Sequence, residues 1–300
     1  MTPENVSSLA EPAVEMRPGL PLPDLGGGPS EPIDPDNPPW GVAQALLTWV
    51  TSLGLLLVVP LVAVIPYILY RTIAFGSDNA ETLLADKNFI FISILGIFPT
   101  HILLLSVIWL VVTNRGSRPF WQTLGWSWPE NFGPWKSIFL AVGLLFVGWL
   151  MTLLFGGGET QLDQLINSSY KARVATAILA VATGPLVEEL LYRGVLYAAF
   201  QRALGVFGAV VVVSALFAGV HVFQYYNNLG VIAVISVLSV ALTLVRARTG
   251  RLLPSFVMHL VFNGIQSVIL VLQPIVQKLQ PGAEEKTAAY IIEGISRHLG

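Results

Sequence analysis

The chain has 300 residues, of which 54% are hydrophobic and 11% are charged, and its mean hydropathy is +0.69. Soluble domains are less apolar and more highly charged, so this composition predicts a polytopic membrane protein. A net charge of −2 without runs of Lys or Arg argues against nucleic-acid binding, and the lack of cysteine excludes disulfides, thiolate metal sites and a cysteine nucleophile.

Residues 1–39 form a segment rich in Pro, Gly and acidic residues, with Arg17 as the only basic residue. The segment lacks the apolar core of a signal peptide. Its low hydrophobicity and excess negative charge do not offset the entropy cost of ordering the chain, which predicts a disordered tail. We expect the first apolar segment after it to act as an uncleaved signal anchor.

Apolar segments long enough to cross a bilayer follow this tail. A hydrocarbon core of roughly 30 Å requires about 20 helical residues. By this measure seven segments qualify, at residues 42–70, 89–112, 137–155, 174–200, 206–223, 229–245 and 253–272. The pattern predicts an all-α transmembrane helical bundle of about seven spans. We divide it into N-terminal membrane helices and interfacial loops at 40–173, a membrane core at 174–272 and a C-terminal tail at 273–300.

The loops between the segments indicate how the bundle lies in the membrane. Pro119 to Trp135 holds four tryptophans among polar residues, a composition typical of the membrane interface. Seven Lys and Arg residues lie near segment ends on the side of the N-terminus and six on the opposite side. The cluster from Arg246 to Arg251, in a very short loop, favours a cytoplasmic N-terminus. We expect a multi-pass protein of the cell (plasma) membrane.

Three ionisable side chains interrupt the fourth apolar segment, namely Glu188, Glu189 and Arg193. Charge inside a membrane is costly unless it is paired or lines a wet cavity, so it indicates a functional site. Glu189 and Arg193 stand at i and i+4, in the orientation that favours an ion pair, which leaves Glu188 as the unpaired carboxylate. The preceding Gly184-Pro185 step predicts a break or kink in the helix at this point.

Two later segments carry further polar side chains at the same helical spacing. The fifth holds Phe217 and His221, and the seventh holds His259 and Asn263. A carboxylate, two imidazoles and an amide that point into one membrane cavity would supply a base for water and donors for a developing oxyanion. This set of residues predicts a hydrolytic site.

Other interpretations of these residues remain open. Zinc could bind His221, His259 and a carboxylate, although the chain has no His-Glu-x-x-His pair. A proton-coupled transporter or a scaffold could use Glu188 and the histidines as a relay. We expect His101 to be a hydrogen-bonding partner for another helix.

The three motifs, in this order on successive apolar helices, resemble the CPBP family of intramembrane proteases. This is the CAAX-protease and bacteriocin-processing family, also called Abi. The similar part covers roughly residues 174–272 and comprises Glu188-Glu189-x-x-x-Arg193, Phe217-x-x-x-His221 and His259-x-x-x-Asn263. The resemblance implies a glutamate-dependent endopeptidase with its active site in an intramembrane cavity.

The resemblance also implies a role for each matching position. Glu188 would activate water with help from His221, His259 and Asn263 would stabilise the oxyanion, and Glu189 with Arg193 would support Glu188. No cofactor or metal is implied, and the expected partners are a membrane-associated peptide or protein substrate and the lipid bilayer. His221 lies near the end of its helix and His259 near the start of its own. For this site to form, both must lie at the same depth in the membrane.

Overall fold

The computed structural model describes residues 33–76 and 79–279, which contain α-helices and one π-helical segment and no β-strand. The predicted disordered tail up to residue 32, and the predicted C-terminal tail from residue 280, lie outside the described residues. The helices are α1 (Val42–Phe75), α2 (Ala80–Ala85), α3 (Lys87–Leu95), α4 (Ile97–Val112), α5 (Phe120–Thr123), α6 (Pro134–Phe155), α7 (Gln161–Ser168), α8 (Tyr170–Ala182), α9 (Gly184–Glu188), the π-helical segment (Glu189–Leu196), α10 (Tyr197–Tyr225), α11 (Leu229–Thr249) and α12 (Leu253–Leu279).

Within the described residues, six helical runs are long and apolar enough to cross a membrane. The fourth, Tyr170–Tyr225, has 56 residues and covers two of the predicted segments. Gly205 divides it, because its backbone has φ 73° and ψ 175°, a left-handed conformation outside the helical range. The predicted all-α membrane bundle is therefore confirmed. The domain boundaries, the cytoplasmic N-terminus and the plasma-membrane location stay predictions.

Helix α1 is a continuous helix of 34 residues that retains Pro60 and Pro66 in its interior. At 1.5 Å per residue it is about 51 Å long, so it extends well beyond a hydrocarbon core of roughly 30 Å. It passes close to the junction between α3 and α4. A Cβ on Gly96 there would lie 2.8 Å from the Cα of Pro60, so only glycine permits this approach.

The residues just before α1 pack against the end of the bundle. Trp40 is 2% exposed, and its Nε1 donates a hydrogen bond to the carbonyl of Val195 at 2.9 Å. Arg202 donates to the carbonyls of Pro38 at 2.6 Å and Trp40 at 2.9 Å. Residues 33–39 thus hold specific contacts, which differs from the unstructured tail expected there. The sequence does not reveal these contacts because they join positions more than 150 residues apart.

A second contact fixes the same segment. Arg246 is 1% exposed and pairs with Asp36, with 2.7 Å between Nη1 and Oδ1. Its Nη2 also donates to the carbonyl of Pro35 at 3.2 Å. Arg246 is therefore a buried structural cation. It is weaker evidence for a cytoplasmic N-terminus than an arginine in an exposed loop would be.

We predict that Trp40→Phe loosens the bundle next to the π-helical segment. The substitution keeps an aromatic ring but removes the donor to the Val195 carbonyl in a dry environment, which costs about 1–3 kcal/mol of stability. We expect a lower midpoint of thermal unfolding in detergent. Trp121→Phe is the matched control, because Trp121 lies in the short helix α5 and is 47% exposed. Equal midpoints for both variants would contradict the structural role of Trp40.

Candidate active site

The helix that carries the glutamates is interrupted where the sequence predicts it. Helix α8 ends at Ala182, and Thr183 has φ −120° and ψ −34°, outside the α-helical range. The short helix α9 then begins at Gly184, with Pro185 in its first turn. Proline fits this position because the first turn of a helix needs no backbone donor. The predicted break ahead of Glu188 is confirmed.

Side chains from neighbouring helices hold the break in place. His101 on α4 lies 2.7 Å from the Thr183 hydroxyl through its Nδ1 and is buried. This confirms its expected role as an interhelical hydrogen-bonding partner. A Cβ on Gly184 would lie 3.0 Å from the Leu179 carbonyl and 4.0 Å from the Glu188 carboxylate, so the backbone itself borders the site.

A π-helical segment extends from Glu189 to Leu196, and all eight of its residues are buried. The wider turn of a π-helix changes the direction in which successive side chains point, and such segments occur often at functional sites. Glu188, the last residue of α9, keeps a side-chain exposure of 32%, whereas the Glu189 side chain is 0% exposed. Two adjacent carboxylates thus occupy different environments.

Arg193 is the centre of a buried polar cluster. Its Nη1 donates to Glu189 Oε1 at 2.9 Å, which forms the predicted i, i+4 ion pair. Its Nη2 donates to the hydroxyl of Ser239 at 2.9 Å and to the carbonyl of that residue at 3.1 Å. Its Nε donates to the Thr243 hydroxyl at 3.3 Å. The guanidinium is thereby anchored to α11 as well as to its own helix.

His259 on α12 lies between the two glutamates. Its Nδ1 is 3.0 Å from Glu189 Oε1, and its Nε2 is 3.7 Å from Glu188 Oε2. The ring is 2% exposed. Glu189 therefore contacts two cationic or potentially cationic groups through one oxygen, and the imidazole lies directly between the buried and the accessible carboxylate.

Phe217 on α10 packs against most of the cluster. Its ring centroid lies 4.9 Å from that of His221, 6.2 Å from that of His259 and 5.0 Å from that of Tyr192. The Arg193 guanidinium carbon lies over its face at 4.6 Å, a favourable cation–π geometry. Helices α10 and α12 therefore bring both histidines next to the same aromatic ring.

His221 is held on the same face of α10 as Phe217. Its Nδ1 lies 2.8 Å from the Phe217 carbonyl, and its ring stacks on Tyr225 one turn later at 6.4 Å, with 12° between the planes. The side chain is partly exposed. Its Nε2 is consequently the ring nitrogen that remains for substrate or water.

Asn263 lies one turn after His259 on α12 and is partly exposed. Its Nδ2 donates to the carbonyl of Ala180 at 3.0 Å. That carbonyl is in the last turn of α8, directly before the break. The amide is thus fixed beside the interruption that leads to Glu188.

The residues that complete this cluster were absent from the predicted set of site residues. They are Tyr192, Ser239, Thr243 and Trp49, whose indole Nε1 lies 3.1 Å from the Tyr192 hydroxyl. Ser239 and Thr243 stand at i and i+4 in an otherwise apolar helix, the same signal that identified the other motifs. No such signal marks Trp49, which belongs to the distant helix α1.

Whether the site could bind a metal ion depends on its His, Asp and Glu side chains. Across residues 33–76 and 79–279, no three His, Asp or Glu side chains are arranged to hold a metal ion. The Nδ1 atoms of both histidines face acceptors of the protein, a carboxylate for His259 and a carbonyl for His221. Such a contact of Nδ1 is also usual for a zinc-bound histidine and does not argue against a metal; what the described residues lack is a third ligand grouped with the two histidines.

Comparison with known families gives a match over one part of the chain. Residues 170–265 match the family described as type II CAAX prenyl endopeptidase Rce1-like. We refer to this matched segment as the Rce1-like domain. The resemblance to the CPBP family is thus confirmed for this segment, and the match supports a CAAX-type membrane endopeptidase in general terms. No curated protein and no solved structure shows significant similarity to the chain.

The Rce1-like domain begins with α8 and includes the break, the π-helical segment, α10, α11 and half of α12. All predicted site residues lie within it. Two contacts to the site come from outside it, from Trp49 on α1 to Tyr192 and from His101 on α4 to Thr183. The N-terminal helices therefore support the domain that carries the glutamates.

Proposed function

We propose that the chain is an intramembrane glutamate endopeptidase of the CAAX-protease type, in which Glu188 activates water to cleave a membrane-associated peptide. One observation carries this proposal. A partly exposed carboxylate lies beside a buried Glu189–His259–Arg193 cluster inside an Rce1-like domain. The accessible glutamate can meet substrate, and the buried one cannot.

The two glutamates differ in what their oxygens contact. Glu189 Oε1 accepts from Arg193 and contacts His259, and its side chain is 0% exposed. Glu188 approaches His259 only to 3.7 Å, beyond the length of a hydrogen bond. Its lone pairs thus remain available to accept a proton from water. Glu188 is therefore the general base in this proposal, and Glu189 is a positioning residue.

The hydrogen bonds of His259 specify its role. Contact of Nδ1 with a carboxylate requires a proton on Nδ1, and Nε2 faces the second carboxylate. A role as oxyanion donor requires a proton on Nε2 as well, because the Nδ1 proton is used by Glu189.

In this proposal His221 accepts a hydrogen bond, whereas His259 donates one. A bond from Nδ1 to the Phe217 carbonyl requires a proton on Nδ1, so a neutral ring has its lone pair on Nε2. This nitrogen can accept a hydrogen bond from the attacking water and orient it toward the substrate. Asn263 uses one amide proton for the Ala180 carbonyl and keeps the second for the oxyanion.

The proposed reaction needs water and the peptide alone. Glu188 takes a proton from water while the oxygen attacks the scissile carbonyl carbon, and the oxyanion is stabilised by His259 and Asn263. The tetrahedral intermediate collapses as the C–N bond breaks. The proton on Glu188 passes to the leaving amine, which restores the carboxylate.

The test of this function uses the purified chain in liposomes with a peptide that ends in a prenylated CAAX sequence. We expect cleavage that is unchanged by a strong chelator, because the base is a side chain. Loss of cleavage with the chelator and recovery with zinc would instead support the metal-dependent interpretation. Substrate-dependent proton flux without cleavage would support a transporter.

A further inference from the structure

A cleft lies at the membrane end where α6 and α12 begin and α11 ends, and it takes no part in the proposed hydrolysis. Its volume is about 780 Å³, within the usual range for sites that hold a small molecule or headgroup. The cleft is lined by Trp128, Pro129, Glu130, Asn131, Phe132, Leu140, Val245, Arg248, Thr249 and Arg251. We propose that it binds the phosphate of an anionic glycerophospholipid.

The charges of the cleft favour an anion. Arg246 is used by Asp36, but the guanidinium groups of Arg248 and Arg251 form no ion pair or hydrogen bond with other described residues. Lys136 adds a third cation next to the cleft, because its Nζ lies over the ring of Phe132, which lines the cleft, and donates to the Asn131 carbonyl. Glu130 is the opposing acid in the wall. The local balance is therefore positive, as phosphate binding between membrane helices requires.

An apolar groove continues from the cleft along α6. It has a volume of about 440 Å³ and is lined by Phe132, Trp135, Lys136, Phe139 and Leu140. Phe132 and Leu140 line both the cleft and the groove, so the two adjoin. Phe139 is 78% exposed, which leaves an unpartnered aromatic face beside the groove. A phosphate next to an apolar path of this kind matches the headgroup and acyl chain of a lipid.

The position of the cleft agrees with this ligand. Trp128 and Trp135 are 37% and 79% exposed and flank the start of α6. Exposed tryptophans are typical of the headgroup level of a membrane. A lipid bound here would place its phosphate at the arginines and its chain toward the bilayer. Lipid binding in this cleft does not depend on peptide hydrolysis.

The test is a titration of the full chain in detergent with phosphatidylglycerol, followed by native mass spectrometry. We expect tighter binding of phosphatidylglycerol than of phosphatidylcholine, and a loss of affinity of roughly tenfold or more in Arg248→Gln/Arg251→Gln. The matched control is Arg115→Gln/Arg118→Gln, which alters an exposed basic pair outside the cleft and should leave binding unchanged.

Several outcomes would overturn the proposal. They are equal binding by the Arg248→Gln/Arg251→Gln variant, equal affinity for both lipids, and full competition by inorganic phosphate, which would indicate an ion site without a lipid. Loss of binding in Glu130→Gln would show recognition of a cationic headgroup and also contradict it. Should the double variant unfold, the single variants Arg248→Gln and Arg251→Gln are compared, and each is expected to lose part of the affinity.

Discussion

Replacing Glu188 by Gln is expected to lower the rate of peptide hydrolysis by roughly 10²- to 10⁴-fold, the range for loss of a general base. The amide has the size of the carboxylate but cannot take a proton from water. Because the side chain is 32% exposed and its contact with His259 is as long as 3.7 Å, the thermal midpoint should stay near that of the wild type. Cleavage is measured by mass spectrometry of the peptide products in liposomes.

Glu130→Gln is the matched control for the Glu188 variant. Glu130 is an exposed carboxylate of the interfacial loop, so the same chemical change there should leave hydrolysis unaffected. The roles proposed for Glu188 and Glu189 would be contradicted if their variants gave the reverse result. If Glu189→Gln abolished cleavage in a fully folded protein while Glu188→Gln retained it, the base would be Glu189.

The second large effect concerns stability. Arg193→Met should destabilise the protein by about 3–5 kcal/mol, because it leaves the carboxylate of Glu189 buried without its cation. The Ser239 hydroxyl and the Thr243 hydroxyl would lose a donor in the same step. We expect a strongly lowered thermal midpoint in detergent and a lower yield of folded protein.

A double variant separates charge balance from packing. In Glu189→Gln/Arg193→Met both charges are removed and the amide oxygen of Gln can still accept from His259, so part of the lost stability should return. Arg118→Met serves as control, because Arg118 is exposed, lies outside the cleft and should tolerate the change. Wild-type stability of Arg193→Met, or no recovery in the double variant, would show that the ion pair is unimportant for folding.

Much of this site follows from local sequence patterns. Charged residues in an apolar run, the Gly184-Pro185 step and the i, i+4 pair of Glu189 and Arg193 all lie within a dozen residues. Helix geometry alone relates such positions, so the break and the ion pair could be predicted. The spacing of Phe217 with His221, and of His259 with Asn263, likewise defines which side chains share a helix face.

The contacts between helices could not be predicted in the same way. His259 and Glu189 are 70 positions apart, and the sequence paired Glu189 with Arg193 alone. Which helix faces meet depends on the packing of the whole bundle. The same reason applies to Trp40, whose indole contacts a carbonyl 155 positions away. Ser239 and Thr243 are different, because their spacing in an apolar helix was a usable local signal.

The wide turn of the π-helical segment is another feature without a clear sequence signature. Its eight residues, Glu189–Leu196, have a composition that an α-helix would also accept. The segment separates the environments of two adjacent glutamates, one partly exposed and one fully buried. Hydrogen bonds of Trp40, Trp49 and Arg193 connect this segment to other helices or to the N-terminal segment.

The most direct measurement is hydrolysis of a prenylated CAAX peptide in liposomes that contain either the purified wild-type chain or the Glu188→Gln variant, carried out in ¹⁸O-labelled water. The predicted result is a shortened peptide with ¹⁸O in its new carboxyl group for the wild type, and almost none for the variant. Equal amounts of labelled product from both proteins would contradict the assignment of Glu188 as the base that activates water.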